Sequence, residues 1–262
     1  FMKQTVTSIQ KAKGTRKLTM ITAYDALFGK LFDDQVDFIL VGDSLNMSFS
    51  GNKDTLSIGL PEMIYHTNAV CNGAKNTFII CDMPFGTYVD KKTAFKNARK
   101  VYRKTNADAI KIEGGKEKAK IIKHLTSNSI AVVGHIGLMP QNVKAEGGYK
   151  IKGKDNQNIK SLIKDAIAVE KAGAFLLVVE GVKSEAAKAI TDAVSIPVIG
   201  IGAGVDTDGQ VLVWSDMFGF FEEFKPKFVR QYLDGAKIIK DGVKQYVEDV
   251  ENKKFPSEDE IY

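Results

Sequence analysis

Ala109-Ile110-Lys111-Ile112-Glu113 sets two isoleucines against two charged residues in strict alternation. In a strand, residues two apart share a face, so Ile110 and Ile112 point one way and Lys111 and Glu113 the other. The apolar pair belongs against covering helices, which turns Lys111 and Glu113 towards the interior. Charges placed there need partners or an ion, because burying them alone is too costly. Seven further short apolar runs accompany this one: Leu18–Tyr24, Phe38–Asp43, Thr77–Asp82, Ala131–Ile136, Phe175–Glu180, Pro197–Ile201 and Gln210–Val213. Most are nearly continuous in Val, Ile and Leu, as parallel strands under helices are.

The segments between the runs carry helical patterning. Ala94, Phe95, Ala98, Val101 and Tyr102 form one apolar stripe, and Ile159, Leu162, Ile163, Ala166 and Ile167 form another. A last helix is predicted from near Lys227, with Phe228, Leu233, Ala236, Val243 and Val247 on its apolar side. Pro61 suits the first turn of the helix after the second strand. Eight strands alternating with helices predict an α/β chain folded as a single (β/α)8 TIM barrel, since an open doubly wound sheet normally needs fewer strands. A short helix at Ser8–Lys13 is expected to close the barrel bottom. The 262 residues suit one such barrel, and no linker marks a second domain. Phe1 ahead of Met2 is odd for a natural start and reads as a remnant of cloning.

Composition narrows the class. The net charge of +5 comes from lysines spread along helices (Lys91, Lys92, Lys96, Lys100, Lys104), which reads as solvated faces. No basic run interleaved with aromatics speaks for nucleic acid. Cys71 and Cys81 form no C-x-x-C pair and suit a reducing cytoplasm. No signal peptide and no long apolar run appear, so a soluble protein away from membranes is expected.

Ionisable residues close five successive strands: Asp43-Ser44 after the second, Asp82 after the third, Lys111 and Glu113 in the fourth, His135 in the fifth and Glu180 at the end of the sixth. In a barrel those ends form the catalytic face. Asp43, Asp82 and Glu113 are hard oxygen ligands suited to Mg²⁺, and no Cys/His spacing suggests zinc. Any one of these acids alone reads as a strand-end cap; the set reads as a site. His135, between Gly134 and Ile136-Gly137, is read as functional, His124 as surface and His66 as packing. Cys81 should point away from Asp82 into the helix layer, as core. The glycine run Gly200–Gly204 fits either a phosphate cradle or a tight turn. Long connections at 44–60 and 137–158 fit either lids or surface excursions.

Together these residues resemble the ketopantoate hydroxymethyltransferase family, from about Thr5 to the C-terminus. The resemblance rests on ITAYD (Ile21–Asp25), VGDSL (Val41–Leu45), YHT (Tyr65–Thr67), D-x-PF (Asp82–Phe85), KIEGG (Lys111–Gly115), GHIGL-x-PQ (Gly134–Gln141), GGYK (Gly147–Lys150), IPVIGIGAG (Ile196–Gly204) and DGQ (Asp208–Gln210). It implies a (β/α)8 barrel that transfers a one-carbon unit from 5,10-methylenetetrahydrofolate to 3-methyl-2-oxobutanoate through a Mg²⁺-stabilised enolate, on the way to pantothenate. It implies Asp43 and Asp82 as Mg²⁺ ligands and substrate contacts, with Glu113 completing the carboxylate set directly or through water. Ser44 and Lys111 would hold the oxoacid carboxylate, Glu180 would be the general base and His135 would sit beside the substrate. It also implies a homo-oligomer, commonly a decamer; a lid would protect the reactive one-carbon unit from water, and segment 137–158 is the candidate for it. Asn46, Trp214 and Gly181 depart from the family pattern; they bear on loop shape and folate contacts, not on a chemical role. The competing readings are another Mg²⁺-dependent oxoacid lyase or mutase on the same barrel, a glycosidase and a non-catalytic barrel scaffold.

Overall fold

A computed structural model describes residues 3–223 and 225–262; Phe1, with its reading as a remnant, lies outside the described residues. The chain divides into two units, 1–213 and 214–262.

The first unit is a closed parallel barrel of eight strands in chain order. They are β1 (Leu18–Thr22), β2 (Phe38–Val41), β3 (Phe78–Asp82), β4 (Ala109–Glu113), β5 (Val132–Gly137), β6 (Leu176–Glu180), β7 (Val198–Ile201) and β8 (Gly209–Leu212). β8 pairs with β1 and completes the ring. The helices of this unit are α1 (Val6–Lys11), α2 (Ala26–Phe32), α3 (Leu45–Ser48), α4 (Leu60–Gly73), α5 (Lys91–Lys104), α6 (Ala119–Thr126), α7 (Val143–Glu146), α8 (Asn156–Lys171) and α9 (Ser184–Ala193). The expected (β/α)8 architecture is therefore present.

Local chemistry sets the helix starts. Asp90 caps α5 by accepting from the backbone N–H of Lys92 and Thr93, and Asp155 caps α8 through Asn158. Pro61 occupies the first turn of α4, where a missing N–H costs nothing. The predicted stripes are buried at Ala94, Ala98 and Val101 of α5 and at Leu162 and Ala166 of α8, while the α5 lysines are exposed. α1 starts earlier than expected because Thr5 and Ser8 form a reciprocal capping box.

The barrel interior is apolar below and polar above. Ile9 and Ala12 plug the bottom against Leu18, Met20, Phe38, Leu40, Phe78, Ile80, Ala109, Val133, Leu176 and Val178. Adding two to the uppermost residue of this layer on successive strands gives Gly42, Asp82, Lys111, His135 and Glu180, and Glu113 lies two beyond Lys111. Strand parity thus carries Asp82, Lys111, Glu113, His135 and Glu180 onto the same inner face, at the C-terminal end, while Asp43 follows just beyond β2.

The second unit holds α10 (Trp214–Met217) and α11 (Gly235–Glu251). α11 begins at Gly235, not near Lys227, because Asp234 supplies the cap and accepts from the N–H of Lys237. Phe228 and Leu233 therefore precede the helix. Ile239, Val243, Tyr246 and Val250 recur three and four apart on α11 and are exposed. Among the described residues no helix is long and apolar enough to cross a membrane.

Candidate active site

Asp43, Asp82, Lys111, Glu113 and His135 are all at least 95% buried, and the Glu180 side chain is 22% exposed towards the open end. Register explains the layering. Asp82 pairs with Lys111 across β3 and β4, Glu113 with His135 across β4 and β5, and Gly137 with Glu180 across β5 and β6.

Lys111 is the hub. Its Nζ lies 3.0 Å from Asp82 Oδ1 and 3.1 Å from His135 Nδ1. Burial opposes its charge, but Asp82, Glu113 and Asp43 outweigh it, and its pKa stands above the ordinary lysine value. Burial and the neighbouring ammonium hold His135 well below the ordinary imidazole range, so the ring is neutral. Nδ1 then accepts from Lys111 and the proton rests on Nε2. That Nε2–H has no well-directed protein acceptor; Glu180 Oε2 lies 3.4 Å away. Burial raises the Glu180 carboxyl to about 7, against the pull of Lys111.

The two aspartates meet at the end of β2 and β3. The Asp43 N–H donates to Asp82 Oδ2 over 3.0 Å. Burial first, and the Asp82 charge second, push Asp43 to about 7. Glu113 is raised well above its ordinary value, chiefly by burial. Gly42 makes room for this: a Cβ there would lie 2.9 Å from Ser44 Oγ and 3.5 Å from Asp82 Oδ2. Ser44 Oγ is 2.9 Å from the Tyr24 hydroxyl.

Four enclosed carboxylates thus face one ammonium. The Asp82 Oδ1 atom lacks a well-directed hydrogen bond despite its ion pair. Among the described residues no three His, Cys, Asp or Glu side chains converge as a ready ligand set. The donor chemistry and the excess negative charge nevertheless fit a hard divalent cation such as Mg²⁺, which Asp43, Asp82 and Glu113 would be the residues to hold.

The structure brings together every residue singled out from sequence at this end of the barrel. It adds Gln141, which sequence reasoning quoted in a motif but gave no role. Gln141 Nε2 donates to Asp43 Oδ2 (2.8 Å) and Met83 O (3.0 Å), and its backbone N–H donates to Glu113 Oε2 (3.1 Å). Its Oε1 accepts from the buried Tyr88 hydroxyl. A neutral amide in a long loop carries no sequence signal of charge; the Pro140-Gln141 pair beside the His135 strand was the available cue. Gln141 ties segment 137–158 down over the acids, and the Lys152–Val182 bridge pins its far side.

Other singled-out residues lie elsewhere. His66 Nδ1 donates to Tyr24 O over 2.7 Å and packs as expected. His124 is half-buried, with its ring against Phe95. Cys71 and Cys81 are free and buried, and burial pushes the Cys81 thiol up to about 12, as suits core. The glycine run is closely packed: a Cβ at Gly200 would meet Thr207 at 2.8 Å, and one at Gly204 would meet Ser184 at 2.8 Å.

Comparison with known proteins gives the family. A family model described as ketopantoate hydroxymethyltransferase matches residues 3–258. The 3-methyl-2-oxobutanoate hydroxymethyltransferase of Aliarcobacter butzleri is 69% identical over 262 residues, covering 100% of this chain and 97% of that protein. The protein of the same name from Sulfurimonas denitrificans is 60% identical over 260 residues, covering 99% of each. Among solved structures, 2,3-dimethylmalate lyase, a PEP mutase/isocitrate lyase superfamily member, aligns with a TM-score of 0.61 at 14% identity, covering 96% of this chain and 89% of that one. Phosphonopyruvate hydrolase in complex with oxalate and Mg²⁺ aligns with a TM-score of 0.62 at 12% identity, covering 97% and 92%. At such identities these structures establish the barrel and nothing of its chemistry.

Proposed function

The chain belongs to the ketopantoate hydroxymethyltransferase family, and on that premise we propose that it moves a hydroxymethyl group from 5,10-methylenetetrahydrofolate to 3-methyl-2-oxobutanoate, giving 2-dehydropantoate. The observation that carries this reading is the enclosed constellation of Asp43, Asp82, Glu113, Lys111 and His135 with Glu180 at its open side.

The reaction needs C3–H of the oxoacid to be acidic and a base beside it. Asp43 and Asp82 would hold Mg²⁺, which would supply the first by drawing electron density from the 2-keto oxygen. Glu180 supplies the second. A carboxyl near 7 is a stronger base than an ordinary carboxylate yet still ionises at neutral pH. Ser44 and Lys111 hold the substrate carboxylate. The neutral His135 offers its unengaged Nε2–H to a substrate oxygen. Glu180 removes the C3 proton, and C3 then bonds to the one-carbon unit as that unit leaves the folate nitrogen. One water is consumed overall: its oxygen becomes the product hydroxyl and the folate nitrogens recover protons. The enzyme works in the cytoplasm as a homo-oligomer, a decamer in our reading; the exposed apolar face of α11 suits self-association.

Proton–deuterium exchange at C3 of 3-methyl-2-oxobutanoate, followed by NMR, tests the proposal. Exchange with Mg²⁺ and none with EDTA is expected, with hydroxymethyl product once methylenetetrahydrofolate is added. Glu180→Gln should abolish exchange and keep Mg²⁺-dependent oxoacid binding; retained exchange removes Glu180 from the base role. A folded, Mg²⁺-loaded protein that exchanges nothing overturns the function.

A further inference from the structure

The ends of β2, β3, β4 and β5 meet on one neutral side chain. Gln141 lies in the short turn Pro140–Asn142 after β5 and is buried. Its Nε2 donates to Asp43 Oδ2 beyond β2 and to the Met83 carbonyl beyond β3. Its Oε1 accepts from the Tyr88 hydroxyl, in the connection that leads to α5. Its backbone N–H donates to Glu113 Oε2 at the end of β4.

The amide has one permitted orientation. A carboxylate and a carbonyl only accept, so both need the NH₂ side. Tyr88 needs the oxygen side, because burial and the Glu113 and Asp43 charges hold its phenol far above the ordinary range and it keeps its proton. A flipped amide would set its oxygen against Asp43 and Met83. Tyr88 is itself held in place. It is buried, and Lys118 Nζ lies 5.3 Å from its ring centroid. The turn before it is closed by Thr87, which donates its N–H and hydroxyl to Pro84 O, and by Asn97 Nδ2, which donates to Thr87 O at 2.7 Å.

Gln141 thus takes one oxygen of Asp43 and one of Glu113; Asp43 Oδ1 and Glu113 Oε1 make no bond to it. Hydrogen bonds to ligating carboxylates orient them and set their affinity for a cation. We propose that Gln141, oriented by Tyr88, is a positioning residue that aligns Asp43 and Glu113 for the divalent cation, so that cation binding and the seating of segment 137–158 are coupled through one amide. The assignment rests on the Mg²⁺ reading above. Both residues act through the carboxylates and not on the substrate. Such coupling is reciprocal: the factor by which the seated segment favours the cation is the factor by which the cation favours the seated segment.

Calorimetric titration of the metal-stripped protein with Mg²⁺ alone tests this on Gln141→Leu and Tyr88→Phe. Hydrogen–deuterium exchange over residues 138–146, read by mass spectrometry with and without Mg²⁺, accompanies it. Gln141→Leu keeps most of the side-chain bulk, and Tyr88→Phe removes a single hydroxyl and keeps the ring, so Tyr88→Phe decides the matter even where leucine beside Asp43 prevents folding. Mg²⁺ affinity should fall about ten- to a hundredfold in Gln141→Leu. It should fall about three- to tenfold in Tyr88→Phe, the worth of one neutral hydrogen bond. Mg²⁺ should slow amide exchange over 138–146 in the parent protein and not in Gln141→Leu. Half-maximal C3 exchange should move to higher Mg²⁺ by the same factor as the affinity, which a loss of folded protein would not produce. Affinity within twofold of the parent in either folded variant, or parent amide exchange that ignores Mg²⁺, overturns the positioning role and leaves the cation site standing. Parent protein that binds no Mg²⁺ overturns the cation reading with it.

Discussion

Replacing Lys111 with methionine keeps a long aliphatic side chain and deletes the ammonium around which the carboxylates gather. The Lys111–Asp82 pair at 3.0 Å carries a gross attraction of about 5–6 kcal/mol at an effective dielectric of about 20. Removing one partner of a buried pair typically costs about 3–5 kcal/mol, because the other charge is left enclosed. Lys111→Met should therefore destabilise the metal-free protein by about 3–5 kcal/mol near pH 8, a fall in melting temperature on the order of 10 °C. The loss should depend on pH. Asp43 and Glu180 already stand at about 7, and Lys111 pulls both downward. A carboxyl whose folded pKa lies above its unfolded value penalises the fold most above that folded pKa, and the penalty fades as pH falls towards the unfolded value. At about pH 5.5 these acids are protonated in the variant, and its deficit should shrink by half or more. Thermal unfolding followed by circular dichroism in EDTA at the two pH values measures both quantities. An equal deficit at both, or a loss below about 1 kcal/mol at the higher pH, would refute the picture of one ammonium neutralising a carboxylate cluster.

The rate of C3 exchange should rise with pH through about 7 and level off above it, since Glu180 must be ionised to act; a flat profile across that range would point to another base. Gly137→Ala should cost more than about 2 kcal/mol and slow exchange, because Gly137 sits at φ +99° and a Cβ there would lie 2.3 Å from Glu180 O. Unchanged unfolding and exchange would show that the two strand ends have room to part. Light scattering should give a particle of several chains, and Tyr246→Glu, which places a charge on the exposed apolar face of α11, should reduce its mass.

Sequence by itself determined the barrel and the identity of the charged set. Both follow from local rules: strand periodicity places Lys111 and Glu113 on one face, and continuous apolar runs mark strands covered by helices. The strand-end positions of Asp43, Asp82, His135 and Glu180 were readable for the same reason. The start of α11 was not, because apolar spacing over Phe228 and Leu233 mimics a helix that the Asp234 cap begins only at Gly235. Tertiary structure alone decided what each ionisable group is. Nothing local tells that His135 is neutral; burial and the ammonium of Lys111, from the neighbouring strand, make it so. Nor does any local pattern reveal Gln141, whose amide reaches Asp43 from 98 residues away. Side-chain charge and direction are written in the chain, but desolvation and partnership exist only once distant strands have closed the ring.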